Sequence, residues 1–248
     1  MLYQTEGIFL AQFDLGEHDR VATVLTRDEG LVKAVVKGAR RPQSKLSALT
    51  QPYSKATIEV FRGRTFDRIT QVGASRSYAG IMLDYNKMVY AGFLTELLSS
   101  LLPMREANPA VFEFSDVVLT ALEQREDPWP VAIWGAIGIL ARTGFAPTFG
   151  TCALCGSPPA APLFFSPAAG GVLCAKCKGQ SAFGEEMTEV SLGAARTLSL
   201  LSESDGSGPS INARGVVRRE ATAALVSYIS SILGKRLNSV SLVERIEV

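Results

Sequence analysis

Short runs of alternating apolar and polar residues follow one another in the first part of the chain, with turn residues between them. In the run from Leu31 to Lys37, Val32, Ala34 and Val36 fall on one face and the two lysines on the other. Such alternation predicts strands at 7–13, 21–26, 31–37, 57–62 and 66–72. Five short strands in so few residues predict a small closed β-barrel of the OB type, although an SH3-like barrel fits the strand count nearly as well.

Apolar residues recur at helical spacing beyond residue 78. The pattern predicts helices at 81–102, 110–124, 131–143, 192–201 and 214–233. Asp127-Pro128-Trp129-Pro130 is expected to break the chain, Gly144 to end the third helix, and the polar stretch 202–210 to act as a connector. We therefore expect an α+β multidomain protein, with an OB-fold barrel domain at 1–78 and a mainly helical domain at 79–150 and 180–248.

Four cysteines form the strongest local motif. Cys152 and Cys155 make one C-x-x-C pair, and Cys174 and Cys177 make a second pair after 18 intervening residues. This spacing is typical of a four-cysteine zinc site, in which two such turns complete a tetrahedron around one ion. Four sulfur ligands leave no position for water, so the predicted ion, one Zn²⁺, is structural, and residues 151–179 form a zinc-binding element.

The same segment predicts its own local structure. Gly156 follows the first cysteine pair, where a positive φ is expected. Gly170-Gly171 lies between two apolar pairs and predicts a hairpin that carries the second cysteine pair. Lys176 and Lys178 are placed to offset the negative charge of four thiolates. A redox role for the cysteines is disfavoured, because no βαβ pattern surrounds either pair.

The formal net charge is +1, but the charges are unevenly distributed. From Arg20 to Arg76 the chain has 12 lysine and arginine residues and four acidic ones, a net charge of +8. A cationic segment in a nearly neutral protein favours an anionic polymer as partner, although a solvated surface is the simpler alternative.

A loop without acidic residues, from Lys37 to Lys45, concentrates that charge. Gly38 and Pro42 disfavour regular structure there, and cations in a loop suit phosphate contacts. The hairpin around Gly63 extends the cationic track. The predicted nucleic-acid-binding residues are Lys33, Lys37, Arg40, Arg41, Lys45, Arg62, Arg64 and Arg68.

Aromatic residues accompany these cations. Tyr53, Phe61 and Phe66 are candidates for stacking on bases, although core packing is favoured for Phe61 and Phe66. His18, the single histidine, follows Glu17 and precedes Asp19, and is expected to be a surface residue rather than a catalyst.

Several classes of protein are disfavoured. The longest apolar run, 131–141, is shorter than the ~20 residues of a membrane span, and the N-terminus does not resemble a secretory signal. Paired cysteines used for metal favour a reducing compartment, so a cytoplasmic, nucleoid-associated location is expected. No phosphate-binding glycine loop, nucleophile elbow or carboxylate cluster is present in the sequence, which disfavours an enzyme and leaves no candidate catalytic residue.

Several short motifs occur along the whole sequence. In the N-terminal part they are Gly16-Glu17-His18-Asp19-Arg20, Thr26-Arg27-Asp28-Glu29-Gly30-Leu31, Lys37-Gly38-Ala39-Arg40-Arg41-Pro42 and Gln51-Pro52-Tyr53. They continue through Phe61-Arg62-Gly63-Arg64, Gly144-Phe145-Ala146-Pro147, Gly170-Gly171-Val172-Leu173-Cys174 and the closing motif 233–239. With these motifs the sequence resembles the bacterial DNA repair RecO family; the N-terminal block is specific in combination, whereas the helical middle is generic.

The resemblance implies a recombination mediator that binds single- and double-stranded DNA and anneals complementary strands. It further implies that, with RecR, the protein helps load RecA on DNA coated by single-strand binding protein (SSB), and that it binds the acidic C-terminal tail of SSB. Two other classes stay open from the residues alone: a zinc-containing RNA-binding or transcription accessory protein, and a nuclease.

Overall fold

A computed structural model describes residues 1–179, 187–204, 209 and 211–247, without the side chain of Lys45. The chain divides into two compact units, Met1–Gln124 and Arg125–Val248.

Unit one begins with a closed five-stranded barrel of order β1-β2-β3-β5-β4. Its strands are β1 (Leu2–Leu15), β2 (Asp19–Thr26), β3 (Gly30–Val36), β4 (Ser54–Phe61) and β5 (Asp67–Ser77). β3 and β5 pair in parallel, and the other neighbours pair antiparallel. This arrangement confirms the predicted barrel of the OB type.

Strand β1 closes the barrel because it pairs with β2 along its second half and with β4 along its first half. The register shifts between Phe9 and Ala11, where the strand passes from one partner to the other. The predicted first strand, 7–13, covers only the middle of β1. The first residues of β1 alternate between polar and apolar less clearly, so the pattern does not include them. Gly30 has φ +67, as its turn requires.

Alternate residues of the strands fill the interior of the barrel. Val24, Val32, Ile58 and Val60 are completely buried there, together with Phe9. Their neighbours in sequence therefore face outward, which determines which cations reach the surface.

Helices cover part of the barrel. They are α1 (Lys45–Leu49), α2 (Ala79–Met82), α3 (Tyr85–Leu101) and α4 (Pro109–Gln124). The single helix predicted at 81–102 is wrong at its start, because Asp84 caps a new helix by accepting a hydrogen bond from the Lys87 N–H at 3.1 Å. Asp116 of α4 accepts hydrogen bonds from Lys55 at 2.8 Å and Tyr78 at 2.5 Å, which ties this helix to the strands.

Unit two combines helices with a small sheet of order β7-β6-β8. Its elements are α5 (Pro128–Arg142), β6 (Leu163–Ser166), β7 (Gly171–Cys174), α6 (Ala175–Lys178), β8 (Thr188–Val190), α7 (Leu192–Glu203), α8 (Gly215–Leu233) and α9 (Val240–Ile246). Helix α5 is apolar on nearly every side and buried, as expected.

The predicted break at 127–130 is instead the start of α5. Asp127 caps the helix by accepting from the Trp129 N–H at 3.1 Å. Pro128 and Pro130 fit the first turn, where no backbone N–H is needed. At the other end Gly144 follows the C-cap Thr143 with φ +87, as expected for the residue that ends the helix.

Parts of two predictions lie outside the described residues: the start of the second helical segment at 180–186, and the connector at 205–208 and 210. In the described part of the chain, no helix is both long and apolar enough to cross a membrane.

Candidate metal centre and nucleic-acid interface

The two C-x-x-C pairs meet at one point of unit two. The four Sγ atoms lie within 4.8 Å of one another, and those of Cys155 and Cys174 are 3.8 Å apart. Sulfur atoms placed 2.3 Å from a central ion at the corners of a tetrahedron are about 3.8 Å apart, whereas a disulfide requires about 2.05 Å. The four thiols can therefore hold one metal ion.

Backbone hydrogen bonds shape the first pair into a tight turn. The Gly156 N–H donates to the carbonyl of Cys152 at 2.8 Å, and the Cys152 N–H donates to the carbonyl of Ser157 at 2.8 Å. Gly156 has φ +71, which confirms the predicted positive φ. The turn thus presents two thiols toward the same side.

Hydrogen bonds also favour ionisation of three of the thiols. Burial opposes ionisation of Cys152, but backbone N–H groups, that of Cys174 among them, lower its pKa below the ordinary value. Hydrogen bonds from Ser157 lower the pKa of Cys155, and the backbone N–H of Cys177 lowers that of Cys174.

The fourth thiol, that of Cys177, differs from the other three. The hydrogen bond with Cys155, followed by burial and the other thiols, raises the pKa of Cys177 to about 12. Several adjacent thiolates cannot coexist without a positive charge among them, because each raises the pKa of the next. A divalent cation at the centre would remove this penalty and deprotonate all four ligands.

A hairpin supports the second cysteine pair, as the sequence predicts. β6 and β7 pair antiparallel, so that Leu163 lies opposite Cys174. At their turn, Gly171 packs so closely that a Cβ would lie 2.3 Å from the carbonyl oxygen of Thr148. Only glycine fits there, and the segment before the first cysteine pair is thereby fixed against the hairpin.

Aromatic contacts anchor this hairpin in unit two. The ring of Phe165 stacks on Phe149 at 6.0 Å and meets Tyr228 of α8 edge-on at 6.2 Å. Of the two lysines predicted to offset the charge of the thiolates, Lys178 lies over the ring of Phe164 at 3.7 Å. Lys176 is exposed. The metal centre is therefore built into the fold of this unit, as a structural ion would be.

The predicted DNA-binding cations lie on the barrel, and three of them surround the end of β3. Lys33 and Lys37 are exposed on either side of Val35, and the parallel pairing of β3 with β5 puts Arg68 directly beside Val35. Neighbouring strands are about 4.8 Å apart, so these three side chains share one face. Among the described residues no carboxylate pairs with any of them.

The loop after β3 folds toward the turn between β1 and β2. Arg40 donates to the carbonyl of Gly16 at 2.6 Å and pairs with Asp14 at 3.2 Å. Lys37 and Arg41 line an open cleft of about 570 Å³ beside that turn. Glu17 lines the same cleft. Arg41 is exposed, and no ion pair of it occurs in the described structure.

The hairpin between β4 and β5 lies at the opposite end of β3. There Arg62 pairs with Glu29 and lies over the ring of Tyr3 at 5.5 Å. Arg64 is exposed, and within the described ranges it forms no ion pair. The sequence-predicted cations are therefore distributed along β3 from end to end, with Arg40 and Arg62 partly neutralised. The side chain of Lys45 is outside the described structure.

The aromatic residues differ from expectation. Phe61 is 44% exposed, so the preference for core packing is wrong: it is the last residue of β4 and faces outward after the buried Val60. Tyr53 is half-buried with φ 60 and lines a cleft beside α3, and burial raises its pKa. His18 is exposed, as predicted.

Comparison with known proteins agrees with this architecture. The N-terminal model of recombination protein O matches residues 1–78, and the C-terminal model matches residues 82–241. DNA repair protein RecO of Symbiobacterium thermophilum is 33% identical, covering 96% of this chain and 95% of that protein. RecO of a Nocardioides species is 34% identical over 99% of this chain and all of its own length, and RecO of Thermobifida fusca is 31% identical over 98% and 99%.

Two family models thus cover most of the chain, and full-length relatives exceed 30% identity. The structure contains the barrel, the helices and the four-cysteine cluster that the sequence predicts. This chain belongs to the RecO family of DNA repair proteins.

Proposed function

We propose that this chain is a recombination mediator that binds single- and double-stranded DNA through its barrel and anneals complementary strands. Annealing requires two polyanions to be held close together, and a cationic surface reduces their repulsion through release of condensed counterions. No covalent step is needed, which agrees with a sequence that has no catalytic motif.

The observation that supports this function is the cationic face along β3. Lys33, Lys37 and Arg68 lie on one side of the barrel without carboxylate partners among the described residues, and Arg41 follows in the next loop. Arg40 and Arg62 belong to the same proposed interface as a second tier, because exposed ion pairs are weak and a phosphate can replace the carboxylate. The proposed interface also includes Arg64. Lys45 is included because of its position in the sequence, at the end of the cationic loop.

We propose Zn²⁺ as the metal of the four-cysteine cluster. Four thiolates in tetrahedral geometry select zinc or iron, and the chain has no further cysteine for a second cluster. The ion would hold the first cysteine pair against the β6–β7 hairpin and would have no open position for catalysis.

The family resemblance supports the proposed partners. We propose that the protein acts with RecR to load RecA on DNA that is coated by SSB, and that it contacts the acidic C-terminal tail of SSB. A cytoplasmic, nucleoid-associated location follows from this role.

A salt titration of DNA binding tests the interface. The double variant Lys37→Ala/Arg41→Ala removes two unpaired cations, so its affinity for single-stranded DNA should fall on the order of 20-fold at about 0.1 M salt. The slope of log affinity against log salt should decrease by about 1.4, which is about 0.7 for each lost contact.

A control of equal charge is Arg196→Ala/Arg219→Ala, whose residues are exposed on α7 and α8. It should keep both the affinity and the slope. An unchanged affinity and slope in the barrel variant would refute the assignment, whereas equal losses in both variants would reduce it to an effect of net charge. A strand-annealing assay with and without bound SSB then tests the mediator role itself.

A further inference from the structure

Four residues form a row across four neighbouring strands on the outer face of the barrel. The pairing of β1 with β4 sets Leu2 opposite Phe61, that of β4 with β5 sets Phe61 opposite Arg68, and that of β5 with β3 sets Arg68 beside Val35. We call Leu2, Phe61, Arg68 and Val35 the transverse row. Its four members span three strand spacings, or about 14 Å.

The three members of the row other than Arg68 are apolar or aromatic and are at least partly open to solvent. Leu2 is 53% exposed and Phe61 is 44% exposed, and Val35 is half-buried. The residues that follow or precede them in sequence, such as Val60 and Ile69, fill the barrel interior, so the row residues must face outward. On the next strand the row ends, because Val21, opposite Val35, is completely buried.

Cations are interleaved with these apolar groups. The guanidinium of Arg68 lies 5.6 Å from the centre of the Phe61 ring, and Lys33 and Lys37 flank Val35 along β3. An acidic residue also lies on this face. Glu59, two residues before Phe61, accepts a hydrogen bond from the Thr70 hydroxyl at 2.6 Å.

We propose that the transverse row is a stacking platform for the bases of single-stranded DNA, with Phe61 as the residue that distinguishes single strands from duplex. This inference rests on the proposed DNA-binding function. An exposed aromatic ring offers a face to an unpaired base, and cations within one or two residues reach the flanking phosphates. In a duplex the bases are already stacked and paired, so that only the phosphate contacts remain available.

The cations around Phe61 favour single-stranded DNA, rather than an apolar protein segment, as the ligand of the transverse row. An apolar protein segment would gain nothing from Arg68, Lys33 and Lys37 around the ring, and would have to desolvate them. A polyanion with aromatic bases satisfies both the ring and the cations.

Substitution of Phe61 tests whether DNA binding needs the aromatic ring or only an apolar side chain. Phe61→Leu keeps an apolar side chain on β4 but removes the ring, and should lower affinity for an oligothymidylate by about 5- to 100-fold. Affinity for a blunt duplex should stay within about twofold, and the salt slope should be unchanged, because no cation is removed. Phe61→Trp should restore the affinity.

The Phe61→Trp variant also reports stacking directly. The native tryptophans, Trp129 and Trp134, are 0% and 3% exposed, so a tryptophan at position 61 would be the accessible one. Its fluorescence should be quenched saturably by the oligothymidylate and not by the duplex. The matched control is Phe13→Leu, since Phe13 is 49% exposed on β1 but lies beyond the buried Val21.

Three results would overturn the proposal. These are an unchanged affinity of Phe61→Leu for single strands, an equal loss for single strands and duplex, or an equal loss in the Phe13→Leu control. If Phe61→Leu binds DNA normally but loses association with RecR, the row is a protein surface instead. Loss of binding in Lys37→Ala/Arg41→Ala together with normal binding in Phe61→Leu would leave the proposed function standing and refute the stacking platform alone.

Discussion

The carboxylate of Asp67 lies 2.7 Å from a guanidinium nitrogen of Arg105, 38 residues later in the chain. Asp67 is completely buried at the start of β5, and it also accepts hydrogen bonds from the Gly63 N–H at 3.0 Å and the Tyr3 hydroxyl at 3.2 Å. One side chain therefore joins β1, the cationic β4–β5 hairpin and the segment between α3 and α4.

Asp67→Asn removes the charge but nearly preserves the shape, and leaves Arg105 without its partner. Hydrogen bonds to a buried charged group contribute about 1.5–3 kcal/mol, so the free energy of unfolding should decrease by about 3 kcal/mol for this multiply bonded group. Urea unfolding measures the change. The control is Asp14→Asn, whose carboxylate pairs with Arg20 and Arg40 but is 51% exposed. It should cost no more than about 1 kcal/mol, and equal losses in the two variants would contradict the role given to Asp67.

The pKa of Asp116 predicts how stability depends on pH. Burial alone would raise this pKa, but the hydrogen bonds from Lys55 and Tyr78 lower it below the ordinary value. Because the folded carboxyl is the stronger acid, its stabilising contribution is present above about pH 4 and is lost as the pH falls through the lowered pKa. The difference in unfolding free energy between the native protein and Asp116→Asn should therefore be largest near neutrality.

That difference should shrink as the pH falls below about 4 and then through the lowered pKa, where the folded carboxyl takes up its proton. Urea unfolding at several pH values from neutral to strongly acidic gives the curve. Glu113→Gln is the control on the same helix, since Glu113 is 60% exposed and pairs with Arg27. Its effect should be small at every pH, and a pH-independent effect of Asp116→Asn would contradict the assigned ion pair.

The sequence predicts the barrel well because alternation alone determines which side chains are inside. Val32, Ala34 and Val36 are buried in the core, and Lys33 and Lys37 are exposed, as the period of two requires. The cysteine spacing likewise predicts that the four thiols lie together, because two tight turns can present four thiols to one point without knowledge of the rest of the fold.

Lateral neighbours in the sheet could not be predicted. The position of Arg68 beside Val35 depends on the parallel register of β3 and β5, which no local pattern encodes. The exposure of Phe61 follows from the same alternation that buries Val60, but composition favoured the core for a phenylalanine. Ion pairs such as that of Arg40 with Asp14 join residues that are distant in sequence. A count of charges along the chain therefore overestimates how many cations lack a carboxylate partner.

Two glycines at hairpin turns allow the cost of backbone strain to be distinguished from the cost of a steric clash. Gly16 and Gly30 have φ of +62 and +67, but a Cβ on Gly16 would meet nothing within 4 Å, whereas one on Gly30 would lie 2.0 Å from the carbonyl oxygen of Glu106. Gly16→Ala should therefore cost about 1–2 kcal/mol for its left-handed conformation.

Gly30→Ala carries the same strain and must also displace the backbone of Glu106, which should add about 1–3 kcal/mol. The free energy of unfolding in urea, with circular dichroism to confirm the native fold, provides the comparison. Equal losses in Gly16→Ala and Gly30→Ala would show that the segment after α3 is not packed against this turn.

Removal of the metal should destabilise unit two without abolishing DNA binding by the barrel. The purified protein should hold one zinc ion per chain, and a strong chelator should lower the melting temperature, because metal affinity contributes directly to folding. Cys152→Ser should lose the ion and show the same lowered melting temperature with no further response to the chelator. Ser157→Ala is a milder control, since it removes only a hydroxyl that lies 3.1 Å from the Cys155 sulfur, and it should keep the ion. Because Cys152 is buried beside Leu173, a protein without stoichiometric metal, or a Cys152→Ser variant as stable as the native chain, would refute a structural ion at this site.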